Sequence, residues 1–219
     1  MKHDLKEIGV VLTSHPRQQL FMRQGISSYL GWQGGPIVLA YDDIDVSALP
    51  MDLFMPPVTH TVCPPAKYAR KMGHAGGCAM QLRNGVRKLY DLGVPYAFLG
   101  AADTTLYNHH ALLDILAKIE KEGADIAAFQ FPTHGLARTE VLWRVLKRLD
   151  PDNPPNVCES WTGRQIDELG FTRCRYRDIN GFQEQLGRIH VQGRYARNAG
   201  ISVGDTWRVG EIWPRPDGG

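Results

Sequence analysis

The chain has 219 residues, 43% of them hydrophobic and 22% charged, which suits one compact domain with a sizeable core and excludes fibrous, collagen-like and wholly disordered classes. No stretch approaches ~18 uninterrupted apolar residues, and the start Met1-Lys2-His3-Asp4 lacks the apolar core of a signal peptide, so a soluble, cytoplasmic protein without a transmembrane segment is expected. The formal net charge of +2 hides two cationic segments, with six cations and no acid from Pro64 to Lys88, and six arginines against Asp178 and Glu184 from Arg173 to Arg197; such segments repel themselves unless an anion is near, which favours a phosphate-bearing ligand or a polyanion.

Ile8 to Thr13 is a short β-branched apolar run followed by a polar corner, Ser14 to Arg17, and by a helical pattern from Gln18 to Leu30. Strand, turn and helix are predicted in that order. Pro36 to Tyr41 repeats the strand signature and ends in Asp42-Asp43, and Val58 to Cys63 is a third β-prone run closed by Pro64-Pro65. From Ala75 to Leu92 the apolar positions Cys78, Leu82, Val86, Leu89 and Leu92 keep helical spacing, and Gly93 is a natural stop before the next strand, Tyr96 to Leu99. A helix over Leu112 to Glu122 with Gly123 behind it, a strand over Ile126 to Phe131 and a helix over Arg138 to Leu149 complete residues 1–150. Alternating strands and helices imply an α/β domain with a mostly parallel sheet flanked by helices.

After residue 150 the pattern changes to a Pro/Asn loop, a helix near Ser160 to Leu169, short strands and an irregular tail. Residues 151–219 are expected to pack on the same domain, because ~70 residues so rich in Gly and Arg make a poor separate core. The four cysteines, Cys63, Cys78, Cys158 and Cys174, form no C-x-x-C pair. Neither a disulfide framework nor a zinc knuckle is indicated, and buried thiols are expected. His3 and the pair His109-His110 read as solvated residues.

Ligands of open α/β sheets bind beyond the carboxyl ends of the strands, and the residues there are consistently polar: Thr13, Ser14, His15 and Arg17 after the first strand, Asp42 and Asp43 after the second, and Gly100 to Thr104 after the strand ending at Leu99. No G-x-G-x-x-G, P-loop or G-x-S-x-G motif occurs, which counts against dinucleotide, P-loop and serine-hydrolase chemistry. Asp42-Asp43 at a buried strand end is costly unless it faces solvent or a ligand.

Three stretches together resemble the GT-A class of nucleotide-sugar-dependent glycosyltransferases, especially family 2. These are Val10 to Arg17, Tyr41-Asp42-Asp43, and Arg83-Asn84-Gly85 followed by Tyr96 to Asp103, the last resembling the family's "R-N-x-G … F-L-D-x-D-D" segment. The resemblance spans residues 8 to 110 and implies a single GT-A-like, Rossmann-like domain, with a nucleotide-sugar half over 1–150 and an acceptor half with an irregular C-terminal extension over 151–219. It implies transfer of a hexosyl or pentosyl group from a nucleotide-diphosphate sugar to an acceptor hydroxyl.

The resemblance also implies roles. Thr13, Arg17, Asp42, Asp43, Arg83 and Asp103 would meet the donor nucleotide. Asp103, helped by His190, would hold Mn²⁺ or Mg²⁺, a hard cation suited to a diphosphate leaving group. This chain departs from the family in having Gly100 and Ala102 where acidic residues are usual, which leaves Asp103 as the lone carboxylate; the alternative for Asp103 is a turn or helix-capping role. Arg188, Arg194 and Arg197 would neutralise diphosphate through charge-assisted hydrogen bonds, with His134 on the diphosphate or the acceptor. Glu159, with Asp167 second, would be the general base that makes a neutral hydroxyl a nucleophile. Two other functions compete: a sugar-phosphate nucleotidyltransferase, whose G-x-G-T-R loop is missing after the first strand, and a non-catalytic nucleic-acid-binding protein using the two basic segments. A hydroxymethylated pyrimidine in DNA is an expected acceptor beside glycans, on charge alone.

Overall fold

β1 (Ile8–Ser14) is buried on both faces, which is why its sequence runs apolar without alternation. Val10 and Leu12 point into one core and Val11 into the other, as the two-residue period of a strand requires. A computed structural model describes residues 3–14, 26–41, 57–62, 73–101, 104–106, 109–128, 135–153, 155, 158–175 and 188–190.

Beside β1 lie β2 (Ile37–Tyr41) and β3 (His60–Val62), followed by the long helix α1 (Gly73–Asp91) and β4 (Tyr96–Ala101). Next come β5 (Thr104–Leu106), α2 (Ala111–Glu122), β6 (Ile126–Ala128), β7 (Gly135–Arg138) and α3 (Thr139–Leu146). The described chain closes with α4 (Cys158–Glu168), β8 (Arg173–Arg175) and β9 (Arg188–His190). Gly93 and Gly123 follow α1 and α2 with φ of +70° and +61°, the left-handed turn that ends a helix and that glycine adopts without a Cβ penalty.

Seven strands form one sheet in the order β3-β2-β1-β4-β7-β6-β8, and β5 pairs with β9 in a second, two-stranded sheet. In the main sheet β1–β2, β1–β4, β2–β3 and β6–β8 are parallel, as the alternating pattern implies. The correction is β7. It runs antiparallel between β4 and β6, and its four residues, Gly-Leu-Ala-Arg, carry no β-branched run that marks a strand. It occupies part of the stretch expected to lie between the strand at Ile126 and the helix at Arg138, and α3 correspondingly starts one residue later.

One face of the sheet is covered by α2, through Leu112, Ile115, Leu116 and Ile119, and by Ile26 and Tyr29. The other is covered by α1, α3 and α4, through Leu82, Val86, Leu89, Leu142, Val145, Cys158 and Ile166. The described parts of residues 151–219 thus share the core and the sheet of the first 150. α1 lies very close to β1: a Cβ at Gly85 would stand 2.3 Å from Val11 Cγ1, and one at Gly9 would stand 2.6 Å from Leu89 Cδ2. Cys158 and Cys174 are buried and Cys78 is half-buried, with no disulfide among the described residues, and burial pushes the Cys174 thiol up. Among the described residues no helix is long and apolar enough to cross a membrane.

His3 corrects its expected solvated state. Its side chain is 11% exposed and lies 2.7 Å from Glu7 through Nδ1 and 2.8 Å from Glu120 through Nε2, with its ring edge-on to Tyr96. The hydrogen bond to Glu120, then that to Glu7, raises the His3 pKa above 6.5, and the same imidazole holds the Glu120 carboxyl below its ordinary range.

Candidate active site

The chain leaves β1 toward β2 and β3 on one side and returns through α1 to β4 on the other, so the topological switch lies between β1 and β4. The crevice beyond the carboxyl ends of these strands is where open α/β sheets bind ligands. Thr13 sits at its centre, half-buried, in register with Ala40 of β2 and Ala101 of β4. Ser14 pairs with Tyr41, the residue before Asp42-Asp43, and Ala101 stands two residues before Asp103. The register therefore gathers the starts of three polar segments at one end of the sheet. Arg17, Asp42, Asp43, Asp103, His134, Arg194 and Arg197 themselves lie outside the described residues.

The second sheet adds the C-terminal part. β5 and β9 are antiparallel, with Thr104 opposite His190, Thr105 opposite Ile189 and Leu106 opposite Arg188. The residue directly after Asp103 is thereby in register with His190, and Arg188 lies on the same short strand. The helix-capping alternative for Asp103 does not hold: β5 intervenes, α2 begins only at Ala111, and its N-cap position is His110.

Arg83 is half-buried on α1, and its Nε is buried with no hydrogen-bond acceptor in reach among the described residues. The helix descends from the carboxyl ends of the strands toward the loop before β4, so Arg83 stands ~3 Å nearer the crevice than Gly85 at 1.5 Å rise per residue. An unpaired buried guanidinium N–H is costly, and a nearby anion removes that cost.

The two carboxylates proposed as base part company. Glu159 is the second residue of α4. Asp167 is near the other end of that helix, 72% exposed, and paired with Arg173, whose guanidinium also donates to the carbonyl of Gly163 at 2.8 Å. Arg173 opens β8, whose parallel pairing with β6 starts at Ile126, so Asp167 belongs to the N-terminal ends of those strands, away from the crevice. Its ion pair is a surface fastening between α4 and β8.

Gly100 and His109 carry features that no motif announces. A Cβ at Gly100 would stand 3.4 Å from Leu12 Cδ2 and from Phe98 Cε1, and 3.9 Å from the Tyr29 hydroxyl. Among the described residues, the atoms nearest the position where an acidic residue is usual thus come from two apolar side chains and a phenol. His109 is no solvated residue: its ring stacks on Tyr29 at 5.7 Å and 11°, meets Trp32 edge-on at 5.2 Å, and donates from Nε2 to the Ser28 carbonyl at 2.9 Å. Residues 18–25 of the helix expected over Gln18 to Leu30 lie outside the described residues, and the sequence gives no sign that Ser28 supports β5.

No protein-family model matches the sequence, and no curated protein matches it. Solved structures do match by fold. The S. aureus TarS structure is similar with a TM-score of 0.54 and 10% identity, over 78% of this chain and 35% of that one, so the chain spans about a third of that protein's length. The structure of S. aureus TarS 1–349 is similar with the same TM-score and identity, over 96% of this chain and 73% of that one. Similarity at this identity shows the fold, an α/β sheet of the GT-A type.

Proposed function

We propose that this chain is a glycosyltransferase that moves a sugar from a nucleoside-diphosphate sugar to an acceptor hydroxyl. The observation that carries the reading is the β5–β9 ladder, which brings His190 opposite the residue after Asp103 at the sheet's switch point. The GT-A-type fold shared with TarS, a family 2 glycosyltransferase, supports it.

On this reading Thr13, Arg17, Asp42, Asp43 and Arg83 hold the nucleotide, and Arg188, Arg194 and Arg197 face the diphosphate with forked, charge-assisted hydrogen bonds. Asp103 and His190 fit a divalent cation, Mn²⁺ or Mg²⁺. A carboxylate oxygen and an imidazole nitrogen suit such ions, and two protein donors leave positions for phosphate oxygens. When bound, the cation supplies positive charge to the leaving diphosphate. Glu159 takes the proton of the acceptor hydroxyl as its oxygen bonds to the anomeric carbon and the bond from that carbon to the diphosphate breaks. On this reading Asp167, paired with Arg173, takes no part in the chemistry. His134 is assigned to the acceptor side, and the acceptor is a glycan or another hydroxyl compound; the DNA acceptor and the nucleic-acid-binding alternative rest on two basic segments, six of whose twelve cations lie outside the described residues.

The test is a donor-hydrolysis screen of nucleotide sugars with and without Mn²⁺, on the unmodified protein and on Asp103→Ala. Metal-stimulated release of a nucleoside diphosphate, abolished by the substitution, is expected. No release from any donor would overturn the reading and favour a binding protein.

A further inference from the structure

Resting on the reading above, we infer that Ser28, Tyr29 and His109 are positioning residues that hold β5, the strand that begins at the residue after Asp103. In sequence Asp103 falls between β4, ending at Ala101, and β5, starting at Thr104, so what holds β5 bears on it. β5 is tied to one distant segment. Ser28 Oγ accepts from the Leu106 backbone N–H at 3.0 Å, and the Ser28 carbonyl accepts from His109 Nε2 at 2.9 Å. On the β4 flank the fully buried Tyr29 brings its hydroxyl to within 3.9 Å of a Cβ placed on Gly100.

The segment is itself rigidly held. Tyr29 stacks on His109, Trp32 meets Tyr29 edge-on at 5.9 Å and His109 at 5.2 Å, and Trp32 Nε1 donates to the Gly35 carbonyl at 2.7 Å. Three rings from the turn after β1 and the loop before α2 thus make one block. Residue 28 of that block is bonded to β5, and the Tyr29 hydroxyl lies near Gly100 of β4. Displacing a group that faces the reacting atoms by ~1 Å costs about a hundredfold in rate, so a clasp of this kind serves the site without touching substrate.

The experiment compares Ser28→Ala with Ser28→Thr, which keeps the accepting oxygen, by amide hydrogen exchange and by steady-state kinetics with the donor found above. Ser28→Ala is expected to exchange at Leu106 about tenfold faster or more, with β1 and β2 unchanged, and to lose about tenfold in kcat with donor KM nearly constant; Ser28→Thr restores both. Faster exchange at Leu106 with unaltered kcat would overturn the proposal. If the unmodified protein turns over no donor, glycosyl transfer fails as a reading while the clasp is still decided: unchanged exchange over 100–106 in Ser28→Ala overturns it, and faster exchange confined to those residues upholds it. Should Ser28→Ala fail to fold, His109→Ala against His109→Gln, which keeps an N–H donor, is read by the same two measurements with the same expected and overturning results.

Discussion

His190 lies directly opposite Thr104 in the antiparallel β5–β9 pair, so residues 188–190 return to the strand that begins at the residue after Asp103. A ladder of three residues on each side has little stability alone. It persists because Leu106 is buried and its N–H is held by Ser28, and it is the structural link between the two parts of the sequence to which donor chemistry is assigned.

The contact between α1 and β1 predicts an inverted response to helix propensity. Alanine for glycine in a helix interior ordinarily stabilises by about 1 kcal/mol. At Gly85 the new Cβ would stand 2.3 Å from Val11 Cγ1, and such overpacking costs roughly 1–3 kcal/mol. Gly85→Ala is therefore expected to lower the urea midpoint, and Val11→Ala in the same background to recover part of the loss. A raised midpoint for Gly85→Ala would contradict the packing.

Gly100 tests whether the missing acidic position is closed. An alanine Cβ there meets Leu12 and Phe98 at 3.4 Å, ordinary van der Waals contact, so Gly100→Ala should change stability by less than about 1 kcal/mol. Gly100→Asp places a carboxyl against Leu12 and Phe98, and a loss of about 2 kcal/mol or more is expected from thermal unfolding. Equal midpoints for the two variants would show that the position is open to solvent.

The two carboxylates of α4 should behave oppositely. Glu159→Gln removes the proposed base and is expected to lower kcat by roughly 10²–10⁴. Asp167→Asn breaks an exposed ion pair with Arg173, and exposed pairs contribute about 0–1 kcal/mol, so kcat should stay near that of the unmodified protein. Steady-state turnover of the two variants checks this, and a larger loss in Asp167→Asn would return the base role to it.

His3 gives a pH dependence with a definite sign. Its folded pKa is raised by Glu120 and Glu7, so its contribution is complete below about 6.5 and is lost as pH rises through the raised value. Glu120 is lowered by His3, so its contribution is present above about 4.5 and is lost as pH falls through the lowered value. The clasp between the N-terminal turn and α2 is strongest between these limits. Thermal midpoints of the protein and of His3→Gln should differ most near pH 5 to 6 and converge in alkali; a difference that grows above pH 8 would contradict the pairing.

What could be read from sequence follows from how local each signal is. The apolar run of β1, the three-to-four spacing along α1 and the glycine stops at Gly93 and Gly123 are properties of contiguous residues, and they specified the layers and most of the strands. β7 was hidden because four residues without β-branching become a strand only between β4 and β6. β5 was hidden because it is three residues long and acquires its conformation from a distant partner, and the short strands expected after the Ser160 helix carried no sign that β9 pairs with it. The His3 and His109 contacts are of the same kind: their partners, Glu120 and Ser28, are far away in sequence. The place of Thr13 at the carboxyl end of β1 was legible because it closes the apolar run, whereas the separation of Glu159 from Asp167 needed the position of Arg173.

The central claim is that Asp103 and His190 act on the same diphosphate. The most direct measurement is a double-substitution cycle, with Asp103→Ala and His190→Ala made singly and together and metal-stimulated release of nucleoside diphosphate followed in each. Residues acting as one unit give non-additive losses, so the double variant is predicted to be hardly slower than the worse single one. Losses that multiply, or a His190→Ala variant as fast as the unmodified protein, would show that β9 brings no donor-site chemistry to the turn at Asp103.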